Sequence, residues 1–255
     1  MPENLSTVLV VGATGSIGRH AVAEALRNGY ATRALVRDAH RASDVPDGAE
    51  IVVGDLTDAA TLGDAVKDVD GIVFTHGSHG GAADAENVDY GAVRNTLEAL
   101  AGRPARIALM TAIGVTKRMT GHDWKRRGER LVRASGLSYT IVRPGWFDYN
   151  APDQHRLVML QGDRRWASDP SDGVVSRAQI AQVLVASLTS AAANHKTLEL
   201  VADKGLGQTD LEPLFASLES DQVGVLDGVR DTDNMSLADE PGAVRDALDR
   251  ARGHR

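Results

Sequence analysis

The stretch Val8-Leu9-Val10-Val11-Gly12-Ala13-Thr14-Gly15-Ser16-Ile17-Gly18-Arg19 constrains this chain more than any other. A β-branched apolar run passes directly into three glycines spaced G-x-x-G-x-x-G. Ala21, Val22, Ala25 and Leu26 then recur at helical spacing. Strand, tight turn and helix in that order form the phosphate-binding corner of an open α/β sheet. The first glycine lets the chain leave the strand. The second lets backbone approach a diphosphate with no Cβ between them, and the third lets the helix pack on the strand. The helix start supplies N–H donors and the positive end of its dipole. Gly12, Ala13, Thr14, Gly15, Ser16 and Ile17 are therefore the candidate dinucleotide-binding turn.

The chain continues as alternating strands and helices. Asn28-Gly29 stops the first helix, and Ala31-Thr32-Arg33-Ala34-Leu35-Val36 forms the next strand, with Arg37-Asp38 at its tip. An acidic residue at this tip holds the ribose hydroxyls of NAD, whereas an arginine suits the 2′-phosphate of NADP. Arg37, with Arg19 beyond the glycine turn, favours NADP; Asp38 keeps NAD open. A third strand ends at Gly54-Asp55-Leu56, where Asp55 meets an adenine amino group and Leu56 covers the ring. Thr57 or Asp58 caps a helix over 59–67. The fourth strand ends at Thr75-His76-Gly77, in line with the cofactor cleft. His76 and His79 stand without a carboxylate cluster, so no metal is expected.

A long helix is expected from Asn87-Val88-Asp89-Tyr90 through Leu100, then a strand over 106–110 ending at Thr111-Ala112. The basic run Lys117, Arg118, Lys125, Arg126, Arg127, Arg130 and Arg133 reads as the solvated face of a helix that buries Trp124, Gly128, Leu131 and Val132. A strand closing at Pro144-Gly145-Trp146 follows. Trp146, Phe147, Tyr149, Met159 and Trp166 are available to line an apolar pocket or to pack a core. Ser176 caps another helix, and a last strand runs over 196–201. The tail carries helices over 210–218 and 243–251. Between them lies an acidic stretch, 221–240, aperiodic over 225–237, which reads as a lid, a dimer arm or a partly disordered tail.

Composition narrows the classes. A length of 255 residues fits one domain, 1–255. A net charge of -7 argues against a nucleic-acid surface. The absence of cysteine removes disulfides and thiol chemistry. No apolar run is long enough to span a membrane, and strand one begins at once, leaving no room for a signal peptide. A cytoplasmic monomer or homodimer acting on a small molecule is the expectation.

Together, Gly-Ala-Thr-Gly-Ser-Ile-Gly at 12–18, Ala-Leu-Val-Arg-Asp at 34–38, Gly-Asp-Leu at 54–56, Asn-Val-Asp-Tyr at 87–90, Trp-Lys-x-x-x-Glu at 124–129 and Ser-Gly-Leu-Ser-Tyr-Thr-Ile-Val-Arg-Pro-Gly at 135–145 resemble the NmrA-like branch of the atypical short-chain dehydrogenases/reductases. The resemblance covers roughly residues 5–205. It implies an α/β Rossmann-type doubly wound parallel sheet of strand order 3-2-1-4-5-6-7, with a small substrate-binding lobe from about 146–170 and 203–255. It implies that Gly12, Gly15, Ser16 and Ile17 hold the diphosphate and Arg37 the 2′-phosphate. Asp55 and Leu56 would take the adenine, while Thr75, His76 and Gly77 pass over the ribose. Lys125 would bond the nicotinamide ribose, with Pro144, Gly145 and Trp146 against the nicotinamide.

One departure matters. The superfamily's proton donor is the Tyr of Tyr-x-x-x-Lys; Lys125 fits the Lys, but Gly121 stands where the Tyr belongs. Thr111 is the candidate for the usual Ser hydroxyl, or Ala112 occupies that place if the register moves by one. Substitute donors are His122, Asp123, Tyr149, His79 and Lys125, with His122 favoured because it adjoins the missing Tyr. A quinone tolerates this loss, since its reduced anion is delocalised. The expectation is an NADPH-dependent oxidoreductase acting on an aromatic or quinone-like carbonyl. The alternatives are a non-catalytic NADP-binding regulator or redox sensor, and, last, an epimerase with tightly held NAD.

Overall fold

The apolar run that opens the chain is β1 (Thr7–Val11), and it lies inside a sheet covered on both faces. The computed structural model describes residues 5–253; residues 1–4 and 254–255, the ends of the expected 1–255 unit, lie outside the described residues. The other strands are β2 (Ala31–Val36), β3 (Glu50–Val53), β4 (Gly71–Phe74), β5 (Arg106–Met110), β6 (Tyr139–Pro144), β7 (Trp146–Phe147), β8 (Arg156–Leu160), β9 (Val174–Val175) and β10 (Lys196–Asp203). Eight of them form one sheet in the order β3-β2-β1-β4-β5-β6-β10-β8. The first seven in that order run parallel, as the resemblance implied. The edge strand β8 is antiparallel to β10 and was not anticipated. β7 and β9 pair separately.

Alternation along β1 explains the two layers. Val8 and Val10 face a core shared with α1 (Gly18–Arg27) and α5 (Arg177–Ser187). Leu9 and Val11 face a second core, shared with α3 (Gly91–Leu100), α4 (Thr120–Ser135) and α7 (Gly242–Gly253). Strands buried on both faces read as continuous apolar runs rather than alternating ones. The Ser176 cap of α5 is present as a full capping box with Gln179.

Several local expectations are corrected. The helix expected over 59–67 is only a 3-10 turn, Ala59–Thr61, although Asp58 caps it by accepting from Ala60 N at 3.0 Å. Gly63 interrupts the pattern there, and glycine is costly in a helix interior. The helix expected from residue 87 begins earlier, at α2 (Ala82–Asp84), and passes through a π-helical turn, Ala85–Tyr90, before α3. The helix expected over 210–218 is the shorter α6 (Glu212–Ala216).

The largest correction concerns the basic helix. Arg126, Arg130 and Arg133 on α4 are buried, not solvated. Their partners are acids of the tail. Asp227 takes Arg126 at 2.9 Å and Arg130 at 2.7 Å, Glu240 takes Arg130 at 2.9 Å and Arg127 at 2.6 Å, and Asp221 takes Arg133 at 3.3 Å. Deeper still, Glu129 is fully buried against Arg143 at 2.7 Å, and Asp231 meets the same guanidinium at 2.7 Å. Buried arginine is tolerated only where such partners replace its water. The acidic stretch 221–240 is thus a strap across α4, ordered by ion pairs. Among the described residues no helix is long and apolar enough to cross a membrane.

Candidate functional site

Two clefts open at the carboxyl ends of the parallel strands, where ligands bind in sheets of this kind. The first, of about 480 Å³, is lined at one end by Gly12, Thr14, Gly15, Ser16 and Ile17. Gly12 has φ +86°, and a Cβ there would lie 2.7 Å from His76 N, so the turn brings the β1 and β4 loops together. A Cβ on Gly18 would lie 2.0 Å from Gly12 O, which fixes how closely α1 starts behind the turn. Ile17 caps α1 without a side-chain hydrogen bond, so no side chain of the cap competes for the first-turn donors. Ala13, in contrast, is buried in the core and lines neither cleft.

The other end of this cleft carries Arg37 and Arg41 together, with Asp55, Leu56 and Thr57. Arg41 escaped the sequence reading, because nothing in its spacing from Val36 marks it as facing the strand tip. Asp38 turns aside and caps the following 3-10 turn, accepting from His40 N at 2.9 Å. Arg19 is exposed and outside the cleft lining. Thr57 donates its N–H (2.9 Å) and hydroxyl (2.7 Å) to Asp55, holding that carboxyl below its ordinary range. Leu56 is steadied through its carbonyl, which accepts from Asn95 Nδ2 at 2.7 Å.

Thr75, His76 and Gly77 also line the first cleft. Thr75 donates its hydroxyl to Val11 O at 3.0 Å and so staples β4 to β1. His76 is 8% exposed, and its Nδ1 has no partner among the described residues. Burial pushes its pKa down to about 4, so the ring is neutral at neutral pH. A glycine cradle with Arg37 and Arg41 in the same lining fits a phosphorylated dinucleotide.

The second cleft, of about 470 Å³, is lined by Pro144, Gly145, Trp146, Phe147, Tyr149 and Trp166, with Ala112, Ile113, Met119 and His122. Phe147 lines both clefts and joins them. Gly145 has to be bare, because a Cβ would lie 2.4 Å from Gly173 O. Trp146 and Tyr149 meet edge-on with centroids 6.0 Å apart. Met159 does not join them; it packs against the core from β8. The segment 203–255, expected to build part of a substrate lobe, supplies no lining residue to either cleft among the described residues.

The three catalytic candidates are separated. His122 lines the aromatic cleft, its Nδ1 unpartnered. Burial lowers its pKa, outweighing the carbonyls of Gly114 and Lys117 that favour its charged form. Thr111 is turned inward: its hydroxyl donates to buried Glu129 at 2.7 Å, and Ala112 takes the place at the cleft. Lys125 lines neither cleft; its ammonium lies 2.5 Å from Asp89 on the π-helical turn. Asp89 in turn accepts from Ser78 N (2.9 Å) and Ser78 Oγ (2.7 Å), so Lys125 reaches the first cleft through the Asp89–Ser78 contact. Asp163, unremarked in the sequence, pins the loop after β5 by accepting from Gly114 N and Thr116 N, both at 2.6 Å. No sequence signal links residues so far apart.

Comparison with known proteins agrees with this geometry. The profile of the NAD(P)H-binding family matches residues 12–191. The chain is 30% identical to Protein TIC 62, chloroplastic, of Oryza sativa subsp. japonica, over 86% of its own length and 52% of that relative; it thus spans about half of the relative. It is 34% identical to the divinyl chlorophyllide a 8-vinyl-reductase of Zea mays over 58% of this chain and 42% of that one. A putative NAD-dependent epimerase/dehydratase from Bacillus halodurans superposes with a TM-score of 0.69 at 23% identity, covering 84% of this chain and all of that one. The chain belongs to the NAD(P)H-binding family.

Proposed function

We propose that this chain is an NADPH-dependent reductase of flat, conjugated carbonyl or quinone-like small molecules, of the NmrA-like kind. The observation that carries the reading is the aromatic cleft joined to the dinucleotide cleft through Phe147. Arg37 and Arg41 hold a 2′-phosphate, and the engagement of Asp38 as a cap removes the acid that would favour NAD. Gly12, Gly15, Ser16 and Ile17 take the diphosphate, Asp55 and Leu56 the adenine, and Thr75, His76 and Gly77 the ribose. Pro144, Gly145 and Trp146 frame the nicotinamide end. Nicotinamide, when bound there, supplies a hydride.

This chain's residues then have two tasks. Trp146, Phe147, Tyr149 and Trp166 orient a flat acceptor and exclude water. His122, kept neutral by burial, donates a ring N–H hydrogen bond to the developing oxyanion, which then takes its proton from solvent. A quinone needs that hydrogen bond least. His122→Asn therefore lowers kcat for a simple ketone by about 10²-fold and leaves quinone reduction within about threefold. The test is nicotinamide absorbance with NADPH and a matched panel of quinones, enones and ketones. Turnover of quinones or enones supports the reading, and equal loss on ketones and quinones in His122→Asn removes this role. One observation favours a second reading: no Tyr or Ser hydroxyl stands at the catalytic positions, since Gly121 and Ala112 occupy them. Tight NADPH binding with no turnover across the panel supports an NADP-binding sensor instead.

A further inference from the structure

Arg177, the first residue of α5, occupies the seam between the two clefts. It lines the aromatic cleft, and its Nε donates to Ser16 Oγ, on the glycine turn, at 3.0 Å. Its guanidinium lies over the Phe147 ring, 5.5 Å from the centroid. Nη1 pairs with Asp148, whose Oδ1 also accepts from Arg177 N at 3.0 Å. Nη2 makes no hydrogen bond among the described residues. The only other charged side chain in the lining, Asp172, is spent: its oxygens accept from Ala167 N at 2.8 Å and Ser168 N at 2.7 Å. A largely apolar, aromatic cleft thus carries one guanidinium with a donor to spare, set over the Phe147 ring that lines both clefts.

We infer that Arg177 is an acid-recognition residue and that the ligands of the aromatic cleft carry a carboxylate beside their flat apolar body. With Nε on Ser16 and Nη1 on Asp148, the N–H groups of Nη2 are left to donate to a ligand carboxylate, and such charge-assisted bonds are the strong ones in a partly desolvated site. Asp148 is the resident acid that balances Arg177 when no ligand is present. It is held at φ +57°, a conformation that Gly, Asn and Asp adopt more readily than other residues. The inference rests on the proposed reading only in taking the aromatic cleft as the ligand pocket. The contact with Ser16 offers a second source of anion, the cofactor's own diphosphate, and the experiment separates the two.

The probes are 2-naphthoate and its methyl ester, read by quenching of Trp146 and Trp166 fluorescence in protein saturated with NADP⁺. The wild-type protein binds the acid about tenfold or more tightly than the ester. Arg177→Gln reduces that ratio to about one and leaves ester affinity unchanged. Asp148→Asn, which keeps a residue suited to positive φ, tightens the acid several-fold and not the ester, and decides the matter if Arg177→Gln fails to fold. Equal binding of acid and ester by the wild type overturns the inference. So does a ratio that survives Arg177→Gln, or an Arg177→Gln effect confined to NADP⁺ affinity. Because the readout is binding, a protein inactive on every carbonyl defeats the proposed reaction and leaves this acid preference measurable.

Discussion

A single methyl group is enough to test the phosphate-binding corner. At Gly18 it would sit 2.0 Å from a backbone carbonyl, a separation that no rotamer change relieves. Gly18→Ala therefore pushes α1 away from the turn. It costs about 1–3 kcal/mol of stability, in the range for overpacked sites, and weakens NADPH binding by more than tenfold; urea unfolding and a fluorescence titration measure the two effects. Gly63, whose added Cβ would meet nothing within 4 Å, is the control, and Gly63→Ala leaves NADPH binding unchanged. The glycines at 12, 15 and 18 were legible in the sequence because their spacing encodes a backbone shape. Thr111 was not, because a hydroxyl at a strand end points inward or outward with equal ease. Its partner Glu129 lies eighteen residues on, in another element.

At the scale of elements, the pH behaviour of the fold rests on β10, where Glu199 is buried beside Arg143 of β6 and near Asp231 of the strap. Burial pushes Glu199 up to about 7, against the ordinary carboxylate value of 4.5. The folded protein therefore keeps a proton on Glu199 that the unfolded chain has released. Between about pH 4.5 and 7 the native state binds more protons, so this group's contribution falls as pH rises through that window and is constant above it. Glu199→Gln removes the dependence. Relative to that variant, the wild type loses about 2–3 kcal/mol between pH 5 and pH 8, which urea unfolding at the two pH values reads directly. A gap that stays constant or widens in the other direction contradicts the burial argument. The ion pairs between α4 and the strap were hidden in the sequence too. Four arginines in a helix carry the same pattern whether water or a distant acid solvates them, and Asp221, Asp227 and Glu240 lie about 88 to 113 residues away from their partners.

Across the whole molecule, what could be read in advance was the part written in local periodicity. β1, β4 and β5 appear as short apolar runs because helices cover both their faces. The first cleft follows from where those strands end, and Gly12, Gly15, Arg37, Asp55 and Thr75 are in its lining. The aromatic cleft did not follow in the same way. Its aromatic side chains come from β7 and the loops around it, and the loops are fixed by Asp163 and Asp172 across long stretches of chain. Arg41, Asp89 and Arg177 likewise gain their places from packing between elements. The proposed function requires that the first cleft take a dinucleotide bearing a 2′-phosphate beside Arg37 and Arg41, which are in its lining. Parallel titrations of the wild-type protein and Arg37→Ala with NADPH and NADH test this most directly. NADPH is expected to bind at least about tenfold more tightly than NADH, with the difference lost in Arg37→Ala and NADH affinity little changed. Equal affinities in the wild type, or an Arg37→Ala effect that falls equally on both nucleotides, would contradict it.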